Sequence, residues 1–531
     1  MGLSAATKRA RQPVGESRQQ CPICESPHLE YEFVVEKSPV CGCQDCGLLF
    51  LNPQPARTFP VDDETSQLQS KVLVDLYRAN AVERMQQLTS YARLRGGKLL
   101  LVGADGYLAT EARSLGFEAF AVSPEEFESL PDSALPRGMA ACVLFCALER
   151  MREPLSILRK VKSLLAPGAS LMVVSPTVDS QAARWFRNSW WEFNRTNLYY
   201  FSVDSLQNLL IKAGFGDPVI APDRSLVSLN YLRQKLRENT RALRHYRWLR
   251  RATSATPLLR NKTFRLFYSR TRFLVRAKEN LTRPVLSVIV PVFNERNTCT
   301  ELLDQLLAKT IEGVELEIII VESNSTDGSR DLILQYKNHP RVKIILEDKP
   351  RGKGHAVRNA LKAATGTVVL FQDADLEYDI NDYDALIYPV LNFQNNFVLG
   401  SRHSKDRSSW KIRTFSDAPG LATFFNFGHI LFLTLFNTLY SQKLSDPFTM
   451  FKVFRRECLY GLSFECNRFD FDYEIVIKLL RKGYRPLELP VNYESRSIAE
   501  GKKVTMLRDP ITWIRALLKF RNSPLYDPSQ I

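Results

Sequence analysis

The chain has 531 residues, 45% apolar and 24% charged, with a formal charge of +15. That length exceeds one ordinary domain and suggests about three or four, and the balance excludes a disordered or membrane-integral chain. The first residues, MGLSAATKRARQPVGESRQQ, are basic and polar with no apolar stretch, so no secretory signal is expected. Ala6 stands where a myristoylation site would want Ser or Thr. A cytoplasmic location follows as an expectation. Composition divides the chain into a disordered tail (1–20), a Cys-rich piece (21–55), an alternating strand and helix stretch (60–220), a basic aromatic segment (222–283) and a second alternating stretch (284–525).

Five of the ten cysteines crowd between Cys21 and Cys46, which reads as metal rather than disulfide. CPIC at 21–24 and CQDC at 43–46 give C-x2-C-x18-C-x2-C, a zinc-ribbon spacing in which Cys21, Cys24, Cys43 and Cys46 close four thiolates around one Zn2+. Cys41 is surplus, although it could replace Cys43. A site filled by protein on all four positions is structural, and a piece this short has too little core to fold without such a staple.

KLLLVGADGYLATEARSLGFEAFAVSPEE, from Lys98, reads strand, glycine turn, helix, strand, the opening of a nucleotide-binding α/β unit. With the ribbon ending CGLLFLNPQP, and with CALERMREPLSILRKVKSLLAPGASLMVVSP and YYFSVDSLQNLLIKAGF behind it, the stretch 21–220 resembles class I S-adenosylmethionine methyltransferases that carry an N-terminal zinc ribbon. The family's acidic residue in the first strand is here Leu101, and its glycine turn is shortened to Gly103, Ala104, Asp105, Gly106. Its ribose-binding carboxylate is Ser123, its Glu-His pair is Glu149 and Arg150, and its later His is Asn197. Without a carboxylate near 123 two ribose hydroxyls go unpaired. A scaffold is therefore expected rather than a methyltransferase, and S-adenosylmethionine is not expected as a cofactor. Glu125 or Asp105 as substitutes, and binding of some other nucleoside, stay open.

Between Arg233 and Arg283 stand sixteen Lys or Arg against Glu238 and Glu279, +14 of the +15. Tyr246, Trp248, Phe264, Phe267, Tyr268 and Phe273 interleave at spacings a helix sorts onto two faces. The segment reads as basic helices, either solvated linkers packed on their neighbours or a contact to an anionic membrane surface. Nucleic acid fits less well.

VLSVIVPVFNE opens the second alternating stretch with a β-branched strand, Asn294 and Glu295 marking the start of a helix. A second strand ends in Glu322. A third leads to PRGKGHAVRNAL, where two glycines flank Lys353 ahead of a helix, a place for a diphosphate. The fourth, TVVLFQDADLEYD, carries Asp373 and Asp375 two apart, on one side of an extended chain, where both reach one hard cation. Glu377 and Asp379 begin and cap the helix beyond. The uncharged run 420–440 has the length of a membrane span, but Asn426, His429 and Asn437 favour a buried or interfacial helix.

VIVPVFNE, VESNSTDGS, RGKGHAVRNAL, QDADLEYD, GSRH, DPFTMFKVFRR, FDFDYEI and VNYESRSIAEGKKV follow one another as in family 2 glycosyltransferases of the GT-A fold, most of all the dolichol- or polyprenyl-phosphate sugar transferases. The resemblance implies that Asp373 and Asp375 hold Mg2+ or Mn2+ on a nucleotide diphosphate, with Pro291, Asn294, Glu295, Glu322 and Lys353 lining the nucleotide. Asp446 matches the acceptor-activating carboxylate, with Asp470, Asp472 and Glu474 as rivals. Arg402 and Lys452 become acceptor-phosphate ligands, and Arg496, Lys502 and Lys503 close over the donor. Members often have two Asp where Glu322 and Ser323 stand, which leaves the base or sugar held there open.

The expected architecture is α/β and multidomain: four-cysteine zinc ribbon, Rossmann-like methyltransferase fold, basic helical linker and GT-A glycosyltransferase fold. The expected function is inverting, metal-dependent transfer from a nucleotide sugar to an acceptor, a polyprenyl phosphate at the cytoplasmic membrane face. The alternatives are a glycan acceptor or a bifunctional enzyme with an active methyltransferase.

Overall fold

The computed structural model describes residues 17–55, 71–104, 106–228, 263–278, 284–403, 419–495 and 508–527. The chain forms two compact units, one of residues 1–215 with 220–277, the other of 216–219 with 278–531.

The first unit holds two sheets. In the smaller, β1 (Leu29–Val35), β2 (Ser38–Cys43) and β3 (Leu49–Leu51) run antiparallel. A distant strand, β8 (Tyr199–Tyr200), completes it by pairing with β3. The larger sheet has the order β5-β4-β6-β7-β10-β9. Its centre is β4 (Gly97–Val102), parallel to β5 (Phe117–Val122) and to β6 (Met139–Phe145), which is parallel to β7 (Leu165–Pro176). Leu99 to Val102 are all buried, as a parallel strand covered on both faces requires. Helices α1 (Lys71–Ala92), α2 (Gly106–Ser114), α3 (Pro124–Ser129), α4 (Pro154–Leu164), α5 (Gln181–Phe186) and α6 (Val203–Lys212) connect these strands.

The expectation of a helical segment over 222–283 is corrected at both ends. Residues 215–228 form β9, and Thr263–Ala277 form β10, which pairs antiparallel with β7. Over residues 269–273 the cations alternate with buried residues at a period of two, not 3.6. Ser269, Thr271 and Phe273 are buried, as are Leu274 and Val275 after them, while Arg270 and Arg272 between the first three, and Arg276 beyond, stay partly exposed. Residues 229–262 of the basic segment lie outside the described residues.

The second unit carries one seven-stranded sheet, β13-β12-β11-β14-β16-β15-β17. β11 (Val285–Val292), β12 (Glu315–Glu322), β13 (Val342–Leu346) and β14 (Val368–Phe371) are parallel. β16 (Lys452–Arg455) is antiparallel to β14 and to β15 (Phe397–Ser401), which runs parallel to β17 (Leu487–Pro490). The register sets Val292 opposite Glu322 and Ile289 opposite Phe371, so three strand ends open together. Helices α7 (Cys299–Ala308), α8 (Ser329–Leu334), α9 (Lys353–Ala363), α10 (Tyr383–Leu391), α11 (Pro419–Tyr440), α12 (Phe471–Lys482) and α13 (Arg508–Asn522) pack around it. The uncharged run 420–440 is α11. No helix among the described residues is long and apolar enough to cross a membrane.

Candidate active site

Asp373 and Asp375 do not stand on β14, and the side-sharing argued from an extended chain is corrected. The ladder ends at Phe371, and the residues after buried Gln372 turn. Leu376 has a φ of 57°, and Asp375 Oδ1 accepts the Glu377 N–H at 3.2 Å, an Asx turn. Thr298 Oγ1 donates to the Ala374 carbonyl at 2.6 Å, pinning the turn to the start of α7. Both aspartates keep partial exposure. Asp379 caps a 3-10 turn through Asn381 N at 2.9 Å, as expected. Glu377 begins no helix; its Oε2 accepts the Tyr493 hydroxyl at 3.0 Å.

Lys353 opens α9, as the glycine loop predicts. Both glycines there serve close packing. Gly352 has a φ of 104°, and a Cβ on Gly354 would come within 2.6 Å of Phe471 Cβ and 2.8 Å of the Arg468 carbonyl. That approach carries Lys353 toward α12. Its Nζ donates to Asp373 Oδ2 at 2.7 Å. Burial alone would lower this ammonium, but Asp373, Asp472 and Asp375 outweigh it and raise its pKa.

The two expected acids are paired with the two expected acceptor-phosphate ligands. Arg402 grips Asp446 in a fork, Nε to Oδ2 at 2.8 Å and Nη2 to Oδ1 at 2.7 Å, while its backbone N–H reaches Oδ2 at 3.0 Å. Burial would raise the Asp446 carboxyl, yet Arg402 overrides it and holds it well below the usual carboxylate range. Lys452 is wholly buried and donates to Asp472 Oδ1 at 2.8 Å and to the Thr449 carbonyl. Burial lowers its pKa in spite of Asp472. Lys353 and Asp446 both act on Lys452, so the three ion pairs form one cluster of alternating charge. Of the rival acids, Asp470 accepts the Arg468 N–H at 3.0 Å. Glu474 is buried against Lys478 and the Glu465 and Cys466 amides, a structural role.

The nucleotide-side residues are arranged unequally. Pro291 is the penultimate residue of β11, opposite Val321. Asn294 does not start a helix: its φ is 51°, its Oδ1 accepts the Thr326 N–H at 2.9 Å, and α7 begins only at Cys299. The Glu295 N–H donates to Ser329 Oγ at 2.9 Å. Glu322 is fully buried; it pairs with Arg330 and accepts the Ser325 N–H at 2.6 Å, so its carboxylate organises its own turn. Sequence reading missed the group beside it. Ser323 Oγ donates to Glu347 Oε2 at 2.8 Å, and Glu347 Oε1 meets His355 Nδ1 at 2.6 Å and Asn359 Nδ2 at 2.9 Å. It also missed Glu488 on β17, which accepts the Ser445 and Asp446 amides at 2.7 Å each and so aims Asp446. Arg496, Lys502 and Lys503 lie outside the described residues.

In the first unit the Sγ atoms of Cys21, Cys24, Cys43 and Cys46 all lie within 4.8 Å of one another. Each knuckle is closed by a backbone bond, Glu25 N to Cys21 O and Gly47 N to Cys43 O, both 2.9 Å. Cys41 is outside the group, so Cys43 is the ligand candidate. Four thiolates at this spacing fit a tetrahedral Zn2+.

Leu101 is buried in β4, and a Cβ on Gly103 would lie 2.5 Å from the Phe145 carbonyl and 3.1 Å from Ala147 Cβ. Ser123 Oγ accepts the Glu126 N–H at 3.1 Å as the cap of α3. Glu125 is exposed in the first turn of that helix, and Asp105 lies outside the described residues. Asn197 Nδ2 donates to the Glu192 carbonyl at 2.9 Å. Glu149 is buried, its Oε2 taking the Ser175 hydroxyl at 3.0 Å, and burial pushes its carboxyl up to about 7.

Comparison with known proteins places these two halves. The family model for Glycosyl transferase family 2 matches residues 287–462. The second unit carries a family 2 glycosyltransferase domain over those residues. That unit has a mixed α/β sheet, and a Methyltransferase domain model matches residues 77–217, almost all of them in the first unit. A dolichyl-phosphate beta-glucosyltransferase of Trichomonas vaginalis is 25% identical over 246 residues, 44% of this chain and 71% of that protein. A dolichol-phosphate mannosyltransferase of Pyrococcus furiosus is 27% identical over 219 residues, 41% of this chain and 58% of its own. A solved glucosyl-3-phosphoglycerate synthase from Mycobacterium tuberculosis, 18% identical, covers 45% of this chain and 81% of its own, with a TM-score of 0.34.

Proposed function

We propose that the transferase domain moves a sugar, with inversion, from a nucleotide sugar to a polyprenyl phosphate at the cytoplasmic face of a membrane. The observation that carries the acceptor is the Arg402–Asp446 fork. A carboxylate held so far below its usual range is a weak proton acceptor, poorly suited to ionising a sugar hydroxyl and well suited to an acceptor that arrives ionised. Asp446 then positions the acceptor, and Arg402 and Lys452 are the cations beside it that a phosphate engages. The two relatives named for dolichyl-phosphate transfer support the same class. A glycan acceptor would need a proton taken by Asp472, the less buried of the two acids; this is the second reading.

Asp373 and Asp375 offer partly exposed carboxylate oxygens two residues apart, a donor set that fits a hard divalent cation. Mg2+ or Mn2+ held there would neutralise the leaving diphosphate. Lys353 supplies charge to the same diphosphate, with Arg496, Lys502 and Lys503 closing over it. Pro291, Asn294, Glu295 and Glu322 shape the nucleotide side, Glu322 by holding its turn. The division of labour we propose is a tail (1–20), a zinc ribbon (21–55) and a methyltransferase-like scaffold (60–220) ahead of the transferase (284–525). S-adenosylmethionine and nucleic acid have no part in this reading, which for the cofactor rests on the missing carboxylates at 101 and 123.

The test is Asp375→Asn in the full chain, assayed for transfer from a panel of nucleotide sugars to a prenyl phosphate in detergent. Turnover should fall at least about 100-fold, the scale of losing a preorganised electrostatic partner, with the fold intact by circular dichroism. Unchanged turnover would sink the metal role.

A further inference from the structure

We infer that the face shared by α11 and α13 is a docking surface for an anionic phospholipid bilayer. On α11, Phe432 and Phe436 are turned inward and the His429 ring lies 5.8 Å from that of Phe448. On its other side Phe427 is 66% and Leu431 59% exposed, one turn apart. On α13, Ala516, Leu517 and Phe520 are buried, while Ile511, Ile514 and Leu518, spaced i, i+3 and i+7, are 67%, 44% and 57% exposed. The two helices are joined by the Phe432 and Trp513 rings, 5.3 Å apart edge to face, and by Tyr440 Oη donating to the Leu517 carbonyl at 2.6 Å. Five large apolar side chains on two packed helices stand in solvent, more than scattered surface residues require.

Their flanks choose the occupant. Arg515, Lys519 and Arg521 are exposed beside the stripe, and Lys519 also meets Glu465 at 2.6 Å. An apolar stripe edged with cations matches the boundary between acyl chains and anionic headgroups. A second copy docked by two-fold symmetry would set these cations against themselves. Residues 222–283, which the sequence offered either as packed linkers or as a membrane contact, lie largely outside the described residues. The face is also tied to the reaction centre. The Trp513 ring stacks on Tyr473 at 5.7 Å and Tyr473 on Phe448 at 4.2 Å, rings one residue beyond Asp472 and two beyond Asp446. The purpose of this docking rests on the lipid-acceptor reading; its existence does not.

Flotation of the full chain with phosphatidylcholine vesicles, with and without phosphatidylserine, tests it. The wild type should float best with phosphatidylserine. Ile514→Glu/Leu518→Glu should bind at least tenfold more weakly with an unchanged melting curve, and Arg515→Gln/Lys519→Gln should lose only the phosphatidylserine-dependent part. Flotation of the Glu variant equal to wild type would place the contact elsewhere and overturn the inference. So would a wild type that never floats, or a wild-type dimer that the Glu substitutions split. Transfer to a prenyl phosphate in detergent should be unchanged in the Glu variant. If the wild type floats but does not transfer, the function fails and the docking surface stands.

Discussion

Removing Arg402 examines the cluster where its energetics are sharpest. The guanidinium makes two charged hydrogen bonds, 2.8 and 2.7 Å, to a carboxylate with no exposure, and is itself only 9% exposed, so solvent screens the pair little. Arg402→Met leaves the Asp446 charge buried with the N–H of residue 402 and the more distant His429 ring, a change that costs about 3–5 kcal/mol in comparable sites. Denaturant unfolding should show that loss at neutral pH. Because Arg402 holds the Asp446 carboxyl below its ordinary value, the pair contributes stability above that value and loses it as pH falls. In the variant Asp446 takes up a proton more readily, so the gap to wild type should be widest near neutrality and narrow in acid. Asp446→Asn/Arg402→Met should be less destabilised than Arg402→Met alone, since no buried charge is then left unpaired. A loss under about 1 kcal/mol for Arg402→Met, the scale of an exposed pair, would refute the reasoning.

Glu149→Gln should be neutral or stabilising at pH 8. Its folded value of about 7 lies above its ordinary 4.5, so its contribution is present below 4.5 and lost as pH rises through about 7; the variant should show a smaller fall in Tm between pH 5 and pH 8. Metal analysis should find one zinc per chain, lost on Cys24→Ser and kept on Cys41→Ser; loss on both would return Cys41 to the ligand set.

What could be read from sequence was what repeats locally. LLLV and VLSVIVPV announce buried parallel strands because both faces are apolar, and the two C-x2-C knuckles announce a metal because each closes on itself. The basic segment was misread because its cations and aromatics were numerous enough to satisfy a helical period too, and only the pairing of β10 with β7 decides between them. The polar Ser269 and Thr271, buried on the inward side, gave no apolar alternation to count. In the transferase domain the acids and bases were each legible as candidates, but their pairing was not. Lys353 with Asp373 and Lys452 with Asp472 stand 20 residues apart, and Arg402 with Asp446 stand 44 apart. Those distances are closed by the sheet order and by the packing of glycines 352 and 354, not by any local pattern. Glu488 carried no signal, since a lone acid on a short edge strand reads as solvated surface.

The charge cluster has a consequence for how a donor arrives. Among the described residues, Asp373, Asp375, Asp446 and Asp472 face Lys353, Lys452 and Arg402, four carboxylates against three cations, in a chain that is otherwise strongly basic. With no cation on Asp373 and Asp375, a diphosphate nearing these groups meets no attracting field from them and must displace a carboxylate from each ammonium it uses. Capture there is an exchange of partners at short range, not long-range steering, and its rate should respond weakly to ionic strength.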